Sequence, residues 1–341
     1  MPPAEHAPAN RLLTIFLILL PVVLFLLSFL IGRYPVAPMM VIKVIAAQIL
    51  PITPDWPAVV ESVVFDVRLP RVVAAMVVGG GLAISGACYQ GVFRNPLVSP
   101  FTLGVSAGAG FGAALAILLF GQRYATQFSA FVFGMLAVAF CFAMSRLYRM
   151  NSTIVLVLGG IIVGSLFTAL LSLLKYVADP NSKLPVIEFW LLGSLSSVST
   201  ADMVPILAVV VPSAIVLLLL RWRINILAMG DEQARILGVE ANRLRIVVIL
   251  FSTLIAASTV SISGIIGWVG LVIPHLARII VGPDFRRLLP ATLSLGACYL
   301  LIIDDLARIM TAAEVPLGIL TALIGAPVFI LLLGRGRLGW A

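Results

Sequence analysis

Charged residues are scarce in this chain: of its 341 residues only 11% are Asp, Glu, Lys or Arg, whereas 62% are hydrophobic. A soluble domain carries about 25% charged residues, because polar surface is what keeps it in water. The deficit excludes a water-soluble globule, and it excludes coiled coils and disordered chains on the same ground. An integral membrane protein is the class that remains.

Cysteine and histidine are also rare. The three cysteines, Cys88, Cys141 and Cys298, are dispersed among apolar and small residues without C-x-x-C spacing. Such a set predicts neither a disulfide framework nor a metal site. The two histidines, His6 and His275, are too far apart to suggest a metal centre. We therefore expect no metal and no cofactor in this chain.

Motifs of enzymes are missing as well. None of the three lysines follows a glycine, so the P-loop pattern G-x-x-x-x-G-K-[ST] cannot be written anywhere. No H-E-x-x-H or G-x-S-x-G motif and no paired-carboxylate arrangement is found either. The sequence therefore predicts a protein without catalytic activity of its own.

Acidic residues are outnumbered, with 14 Asp and Glu against 22 Lys and Arg, for a formal charge of +8. On a soluble protein this excess would suggest nucleic acid as a partner. In a membrane protein it is typical of cytoplasmic loops. We expect no binding of nucleic acid, and 14 of the 22 cations fall on one side if both termini are cytoplasmic.

Long apolar runs are what the sequence does contain. A helix needs about 20 residues to cross about 30 Å of hydrocarbon, and the runs between charged or Pro/Gly-rich stretches predict ten spans. The third and eighth are short and glycine-rich or interrupted by proline, so we expect them to be bent or incomplete. The predicted spans are approximately 11–32, 63–90, 100–120, 125–146, 153–177, 203–220, 244–263, 266–281, 288–308 and 315–334.

The ten spans form one predicted transmembrane domain, 1–341, with a cytoplasmic tail at 1–10. A weak sequence similarity between Ala83-Ile-Ser-Gly86 and Ser261-Ile-Ser-Gly264 suggests two inverted halves, 11–200 and 201–341. A chance match is the alternative. The two external segments, 34–62 and 178–202, are too polar to span and predict a short surface helix at 39–50 and a turn at 179–182.

Glycines at 104, 108 and 112 make two overlapping GxxxG steps. Such spacing lets helix backbones approach closely in lipid. We favour packing within one subunit, with a subunit interface or the lining of a path as alternatives.

Acidic side chains within the spans are nearly restricted to Asp304 and Asp305, one turn before Arg308. This spacing predicts a local ion pair. Proton coupling, as in an ion-coupled secondary transporter, is the alternative, but such carriers keep ionisable groups near the bilayer midplane.

The basic segment 221–245 predicts a short helix, a turn at Gly230 and a second short helix ended by Gly238. Its apolar residues Ala234, Ile236, Leu237 and Val239 would then be exposed on a cytoplasmic loop. Exposed apolar surface of this kind indicates a docking site for a soluble partner.

Several of these motifs occur together in one known family. Arg68-Leu-Pro-Arg71, Asn95-Pro-Leu97, Leu103-Gly-Val-Ser106, Leu237-Gly-Val239 and Asp305-x-x-Ala-Arg308 follow one another in the expected order between about residues 60 and 332. In this respect the chain resembles the FecCD family, the membrane subunits of ABC importers for iron-siderophores, haem and cobalamin.

The resemblance implies an all-α permease of about ten transmembrane helices in two inverted halves, which works as a homodimer in the bacterial inner membrane. Its implied partners are two ATP-binding subunits, which hold ATP and Mg, and a periplasmic or lipid-anchored substrate-binding protein. The first expected substrate is an iron(III)-siderophore. Haem, cobalamin and an oxyanion such as molybdate are alternatives.

The resemblance also implies roles for individual residues. Arg68, Arg71 and Arg308 match arginines that dock the binding protein, and Ser152 and Thr153 match a cytoplasmic gate. Gly164, Ser165 and Thr168 would line the path, and Pro274-His275 fits a broken-helix element. The implied contacts to the ATPase are Asn225, Leu227, Gly230, Asp231, Glu232, Arg235, Leu237, Gly238 and Val239.

Overall fold

A computed structural model of the protein describes residues 9–147 and 153–334, apart from positions 49, 52, 54 and 312. Throughout these ranges the regular structure is helical. A π-helical turn, Val63–Arg68, joins the short helix Ala58–Ser62 to the long helix Leu69–Phe93, so that one helix runs from Ala58 to Phe93. The helices are α1 Ala9–Ser28, α2 Pro38–Ala46, α3 Ala58–Ser62, α4 Leu69–Phe93, α5 Val105–Leu119, α6 Arg123–Leu147, α7 Thr153–Val177, α8 Lys183–Leu191, α9 Thr200–Leu219, α10 Arg221–Met229, α11 Asp231–Ile236, α12 Ala241–Ser263, α13 Val269–Val281, α14 Phe285–Met310 and α15 Leu317–Gly334.

Each of the ten predicted spans corresponds to a helix: α1, α4 with α3, α5, α6, α7, α9, α12, α13, α14 and α15. Of the helices in the described ranges, six are long and apolar enough to cross a membrane by length and composition alone. α5 and α13 have only 15 and 13 residues. At about 1.5 Å per residue they reach roughly 20 Å, short of the hydrocarbon thickness of about 30 Å. The expectation that the third and eighth spans are incomplete is confirmed.

Contacts between helices repeat from one half of the chain to the other. α4 packs against α13 and α14, and α12 packs in the same way against α5 and α6. α5 contacts α6 and α7, just as α13 contacts α14 and α15. α4 and α12 meet at the centre. This repeated contact pattern is the one that two inverted halves of five spans each would give, and the division into halves at 11–200 and 201–341 stays a prediction.

Glycines bring the helix backbones into direct contact. A Cβ atom on Gly108 would overlap the carbonyl oxygen of Phe133, and one on Gly112 would lie 2.5 Å from that of Ser129. The Ser129 hydroxyl donates a hydrogen bond of 2.7 Å back to the Gly112 carbonyl. Gly108 and Gly112 therefore join α5 to α6, and Gly104 lies against Gly164 of α7. These contacts are within one chain, as the favoured interpretation of the spacing predicts.

The two segments that were predicted to be external form short helices on the surface. α2 occupies most of the predicted 39–50 stretch, and α8 lies against α5 without the length of a span. Between α7 and α8, the Asp179 carboxylate accepts hydrogen bonds from the Asn181 backbone N–H (2.8 Å) and the Ser182 hydroxyl (2.7 Å). These bonds lower the pKa of Asp179, because they stabilise the ionised carboxylate. The predicted turn at 179–182 is confirmed.

Pro274 does not break a helix, contrary to the sequence-based expectation. α13 continues through Pro274 to Val281. A proline has no N–H to donate to the carbonyl four residues earlier, which here is that of Gly270. This carbonyl instead lies against α4 at Gly86, where a Cβ atom would overlap it. The interruption lies at 264–268, where Gly264 has a φ of +67° and Trp268 one of +69°.

Three segments meet at this interruption and are joined backbone to backbone. The N–H of Ser194 donates to the carbonyl of Ser263 (2.8 Å), and the N–H of Leu317 donates to that of Gly193 (2.9 Å). The N–H of Gly318 donates to the carbonyl of Leu192 (3.0 Å). We call this the 264–268 junction; it connects the end of α8, the end of α12 and the start of α15.

The close contact at Gly86 predicts a specific loss of stability. In Gly86→Ala the added methyl group would overlap the Gly270 carbonyl, and overpacking of this kind costs about 1–3 kcal/mol. Gly267→Ala is the matched control, since a Cβ atom there meets nothing within 4 Å. We expect Gly86→Ala alone to lower the thermal unfolding temperature of the detergent-solubilised protein. Equal unfolding temperatures for the two variants would contradict the contact.

Candidate functional site

A cluster of buried charges lies at the start of α4. The Arg71 guanidinium donates to both carboxylate oxygens of Asp304 at 2.9–3.1 Å and to both oxygens of Glu314 at 2.9 and 3.2 Å. Arg308 lies 3.1 Å from Asp304 and also pairs with Asp305. The predicted local ion pairing is therefore confirmed. Asp304 is fully buried, and in such a place a carboxylate is tolerated only when it is paired.

The same cluster holds the chain that follows α1. Arg68 donates hydrogen bonds to the backbone carbonyls of Phe29 and Tyr34, and Arg308 donates to that of Ile31 at 3.1 Å. The Ser28 hydroxyl donates to Asp305 (2.6 Å) and accepts from Arg308 (2.8 Å). Arg68 thus holds backbone carbonyls, whereas Arg308 holds a backbone carbonyl and pairs with two acids.

An open cavity of about 220 Å³ lies beside the cluster and is lined by four arginines and one carboxylate. The sequence reading named Arg68, Arg71 and Arg308, whose side chains are almost fully buried. The sequence analysis did not name Arg33, whose side chain is half exposed, as a site residue. It did not name Glu314 either, whose carboxylate lies 3.9 Å from the Arg33 guanidinium. Neither residue has a spacing that marks it in the sequence; the fold alone brings them together. The charged residues that line the cavity are Arg33, Arg68, Arg71, Arg308 and Glu314.

The 221–245 segment lies at the opposite end of α4. A Cβ atom on Gly91, near the end of α4, would meet Phe285 of α14 and Ile224 of α10. Since α4 alone has 25 residues, its ends are separated by about 37 Å at 1.5 Å per residue. The arginine cluster and the 221–245 segment therefore face opposite sides of the protein.

The segment has the predicted helix-turn-helix form. α10 ends at Gly230, with a φ of +130°, and α11 is followed by Gly238, with a φ of +72°. Ile236 and Leu237 are 78% and 54% exposed, whereas Ala234 is fully buried where α11 packs on α10. The expected exposure of Ala234 was wrong. Its side chain lies between α10 and α11, where a methyl group is small enough to let the two helices touch.

Polar contacts tie this segment to its neighbours. The Asp231 carboxylate accepts two hydrogen bonds, at 2.8 and 2.9 Å, from Arg245 of α12. The Asn225 side-chain oxygen accepts one from the backbone N–H of Phe285 at 3.2 Å. Leu227 is buried, Glu232 and Arg235 are exposed and Val239 is half buried. The segment is thus anchored on α12 and α14 while Ile236 and Leu237 project from it.

One face of α7 carries hydroxyl groups, and at its far end Lys175 pairs with Glu188 of α8 at 2.7 Å. Ser165, Thr168 and Ser172 are exposed, and each hydroxyl donates to the carbonyl four residues earlier at 2.8–2.9 Å. Gly164 instead packs against Gly104, so it does not share this face. Ser152 lies outside the described residues, and so does the side chain of Thr153, at which α7 begins.

Comparison with known proteins gives a consistent family. The chain matches the FecCD transport family over residues 18–335. It is 42% identical over 326 residues to the molybdate import system permease of Haemophilus influenzae, covering 95% of both chains. It is 37% identical over 279 residues to the hemin transport system permease of Yersinia pestis, covering 80% of this chain and 83% of that one.

A solved structure shows the same fold. It is described as an inward-facing conformation of an ABC transporter assigned to the metal-chelate type. This chain superposes on it with a TM-score of 0.85 and 41% identity, covering 95% of this chain and 99% of that one.

The arginine cluster predicts a loss of stability when its central acid is neutralised. Asp304→Asn would leave Arg71 and Arg308 without their shared buried counter-charge, and breaking such a pair costs on the order of 3–5 kcal/mol. Asp66→Asn is the matched control. Asp66 lies five residues before Arg71 on the helix that runs from Ala58 to Phe93, and its side chain is exposed. We expect only Asp304→Asn to lower the thermal unfolding temperature in detergent. Equal behaviour of the two variants would show that the cluster is not a structural element.

Proposed function

The chain belongs to the FecCD transport family and is a multi-pass membrane permease of the ABC type, and on this premise we propose how it is assembled. It works as a homodimer with two ATP-binding subunits and a substrate-binding protein on the outer side of a bacterial inner membrane. Both of its termini face the cytoplasm. ATP and Mg bind to the partner ATPase, since this chain has no P-loop.

The observation that carries this proposal is the placement of two different surfaces at opposite ends of α4. The arginine-lined cavity suits the carboxylates of a binding protein, which would be drawn to it by charge. The exposed Ile236 and Leu237 of the 221–245 segment suit an apolar cleft on an ATPase. A protein that must receive substrate on one side and respond to ATP on the other needs both.

The mechanism follows from how each surface is attached. Closure of the ATPase subunits would push on α10 and α11, and the bonds from Asp231 to α12 and from Asn225 to α14 would carry that displacement into the helix bundle. The path between the two copies would then open alternately to either side. Ser152 and Thr153, at the start of α7, stay the proposed position of the cytoplasmic gate.

The α7 face is suited to line that path. Its hydroxyls at Ser165 and Thr168 already donate to carbonyls of their own helix, so they offer acceptor lone pairs but few donors. A path must let its cargo leave as well as enter, which requires weak interactions along it. The face therefore holds no substrate tightly, and selection of the substrate falls to the binding protein.

For the substrate we propose an oxyanion of the molybdate type first and an iron(III)-siderophore second. The molybdate permease of Haemophilus influenzae matches 95% of this chain, including the first span. An iron chelatin permease of Helicobacter pylori is 41% identical but matches 81%. Siderophore was the first expectation from the sequence, and the length of the molybdate match reverses that order.

Uptake into proteoliposomes tests the substrate. The permease is reconstituted with its partner ATPase and binding protein, and ATP-dependent uptake of radiolabelled molybdate is compared with that of a ferric siderophore. Molybdate uptake alone supports the first substrate and siderophore uptake alone the second. Uptake without ATP would contradict the ABC mechanism and favour the ion-coupled alternative.

A substitution at the exposed end of the 221–245 segment should weaken assembly with the ATPase subunit while leaving the folding of this chain intact. Leu237→Ser removes an apolar side chain that is 54% exposed, so the chain itself should stay folded while the ATPase subunit is lost on purification. Leu50→Ser is the matched control, since Leu50 is 55% exposed on the external segment. Co-purification of the ATPase at the level of the control would contradict the coupling role of this segment.

The docking proposal predicts a salt-dependent loss of association rate. Arg33→Gln and Arg68→Gln each remove one charge from the arginine-lined cavity and should slow binding-protein association at low salt, by roughly three- to tenfold. Lys43→Gln makes the same charge change on α2, outside the cavity. Surface plasmon resonance on nanodiscs measures the rates. Rates equal to that of Lys43→Gln at low salt would contradict docking at this cavity.

A further inference from the structure

Another cavity, larger than the arginine-lined one, lies at the cytoplasmic end of the protein, between α1, the α9–α10 connection, α13 and α14. Its volume is about 820 Å³, and it opens along the side of the helix bundle. Neither the family resemblance nor the proposed mechanism uses it. We call it the α1–α14 groove.

The charged rim of the groove is entirely basic. Arg11, Arg221, Arg286 and Arg287 line it, and none of the described lining residues is acidic. All four side chains are exposed. Asp284, the nearest acid in sequence to two of them, accepts its hydrogen bond from the backbone N–H of Arg286 and thereby caps α14.

The positive potential of the rim comes from these arginines. Arg221 and Arg286 lie in the first turns of α10 and α14, where the helix dipole is positive. The last turns of α9 and α13, at Leu218 and Val281, lie at the same rim and have dipoles of the opposite sign, so the helix dipoles offset one another. Four arginines with no acid among the described lining residues therefore set a positive potential, and an anion is what would relieve it.

Below the rim the groove is apolar and has the depth of one leaflet. Its wall is formed on α1 by residues down to Pro21 and on α14 by residues down to Ala297. Each point lies ten residues beyond Arg11 or Arg287, which is about 15 Å at 1.5 Å per residue. This equals half of a hydrocarbon core of about 30 Å. The lining is therefore basic at the membrane surface and apolar through the inner leaflet.

We propose that the α1–α14 groove binds an anionic phospholipid of the inner leaflet. The headgroup phosphate would accept hydrogen bonds from the rim arginines, which suit phosphate because of their planar donor groups. An acyl chain would lie between α1 and α14 beside Ile18 and Leu293. A zwitterionic lipid would place its ammonium group against four arginines, and a free anion would leave the apolar wall uncovered.

Native mass spectrometry of the purified full-length protein tests this proposal with phosphatidylglycerol as the probe. We expect the wild type to retain phosphatidylglycerol in preference to phosphatidylcholine. The double variant Arg286→Gln/Arg287→Gln should weaken retention about 25-fold, at roughly fivefold for each arginine near an anionic headgroup. The control Arg223→Gln/Arg243→Gln makes the same charge change at a different cytoplasmic cavity and should retain the lipid like the wild type.

Two further measurements separate the alternatives. Ile18→Trp fills the apolar part of the groove without changing charge, and it should reduce retention of phosphatidylglycerol while leaving the rim intact. Competition by millimolar inorganic phosphate would assign the rim to a free anion and overturn the proposal. Equal retention by all variants would mean that the lipid is bound only by the general surface, and this result would overturn it too.

Discussion

The structure depends on one constraint: the hydrocarbon core offers no hydrogen-bond partners, so a polar group placed there is stabilised when it finds a partner within the chain. The hydroxyls of α7 bond to their own helix. Tyr89 and Thr253 pair with each other where α4 crosses α12. Asp304 is held by two arginines at once. Apart from these polar contacts, the helices are held by close packing, and their backbones come into direct contact at glycine.

This constraint also explains why so much of the fold could be predicted. A span has a fixed minimum length and an apolar composition, so ten helices could be placed from the sequence and all ten exist. The short α5 and α13 were identified by the same criterion. The Asp304–Arg308 pair was predictable because both residues lie on one helix, one turn apart. Local geometry and membrane thickness were sufficient for all of these features.

What could not be predicted depends on contacts between segments far apart in sequence. Ala234 was expected to be exposed, but α11 folds back on α10 and buries it. Pro274 was expected at a break, but α13 continues through it, with the Gly270 carbonyl packed against Gly86 of α4. Arg33 joins the arginine cluster because the chain after α1 lies over α14, and Glu314 joins it because the α14–α15 connection returns to Arg71 of α4. None of these partners follows from spacing along the chain.

The 264–268 junction has a mechanical consequence. The ends of α8 and α12 and the start of α15 are connected there by main-chain hydrogen bonds, which have no rotamers to change and little freedom to slide. A displacement of the end of α12 is therefore passed through the 192–194 segment to the start of α15 by main-chain bonds alone, with no side-chain contact in between.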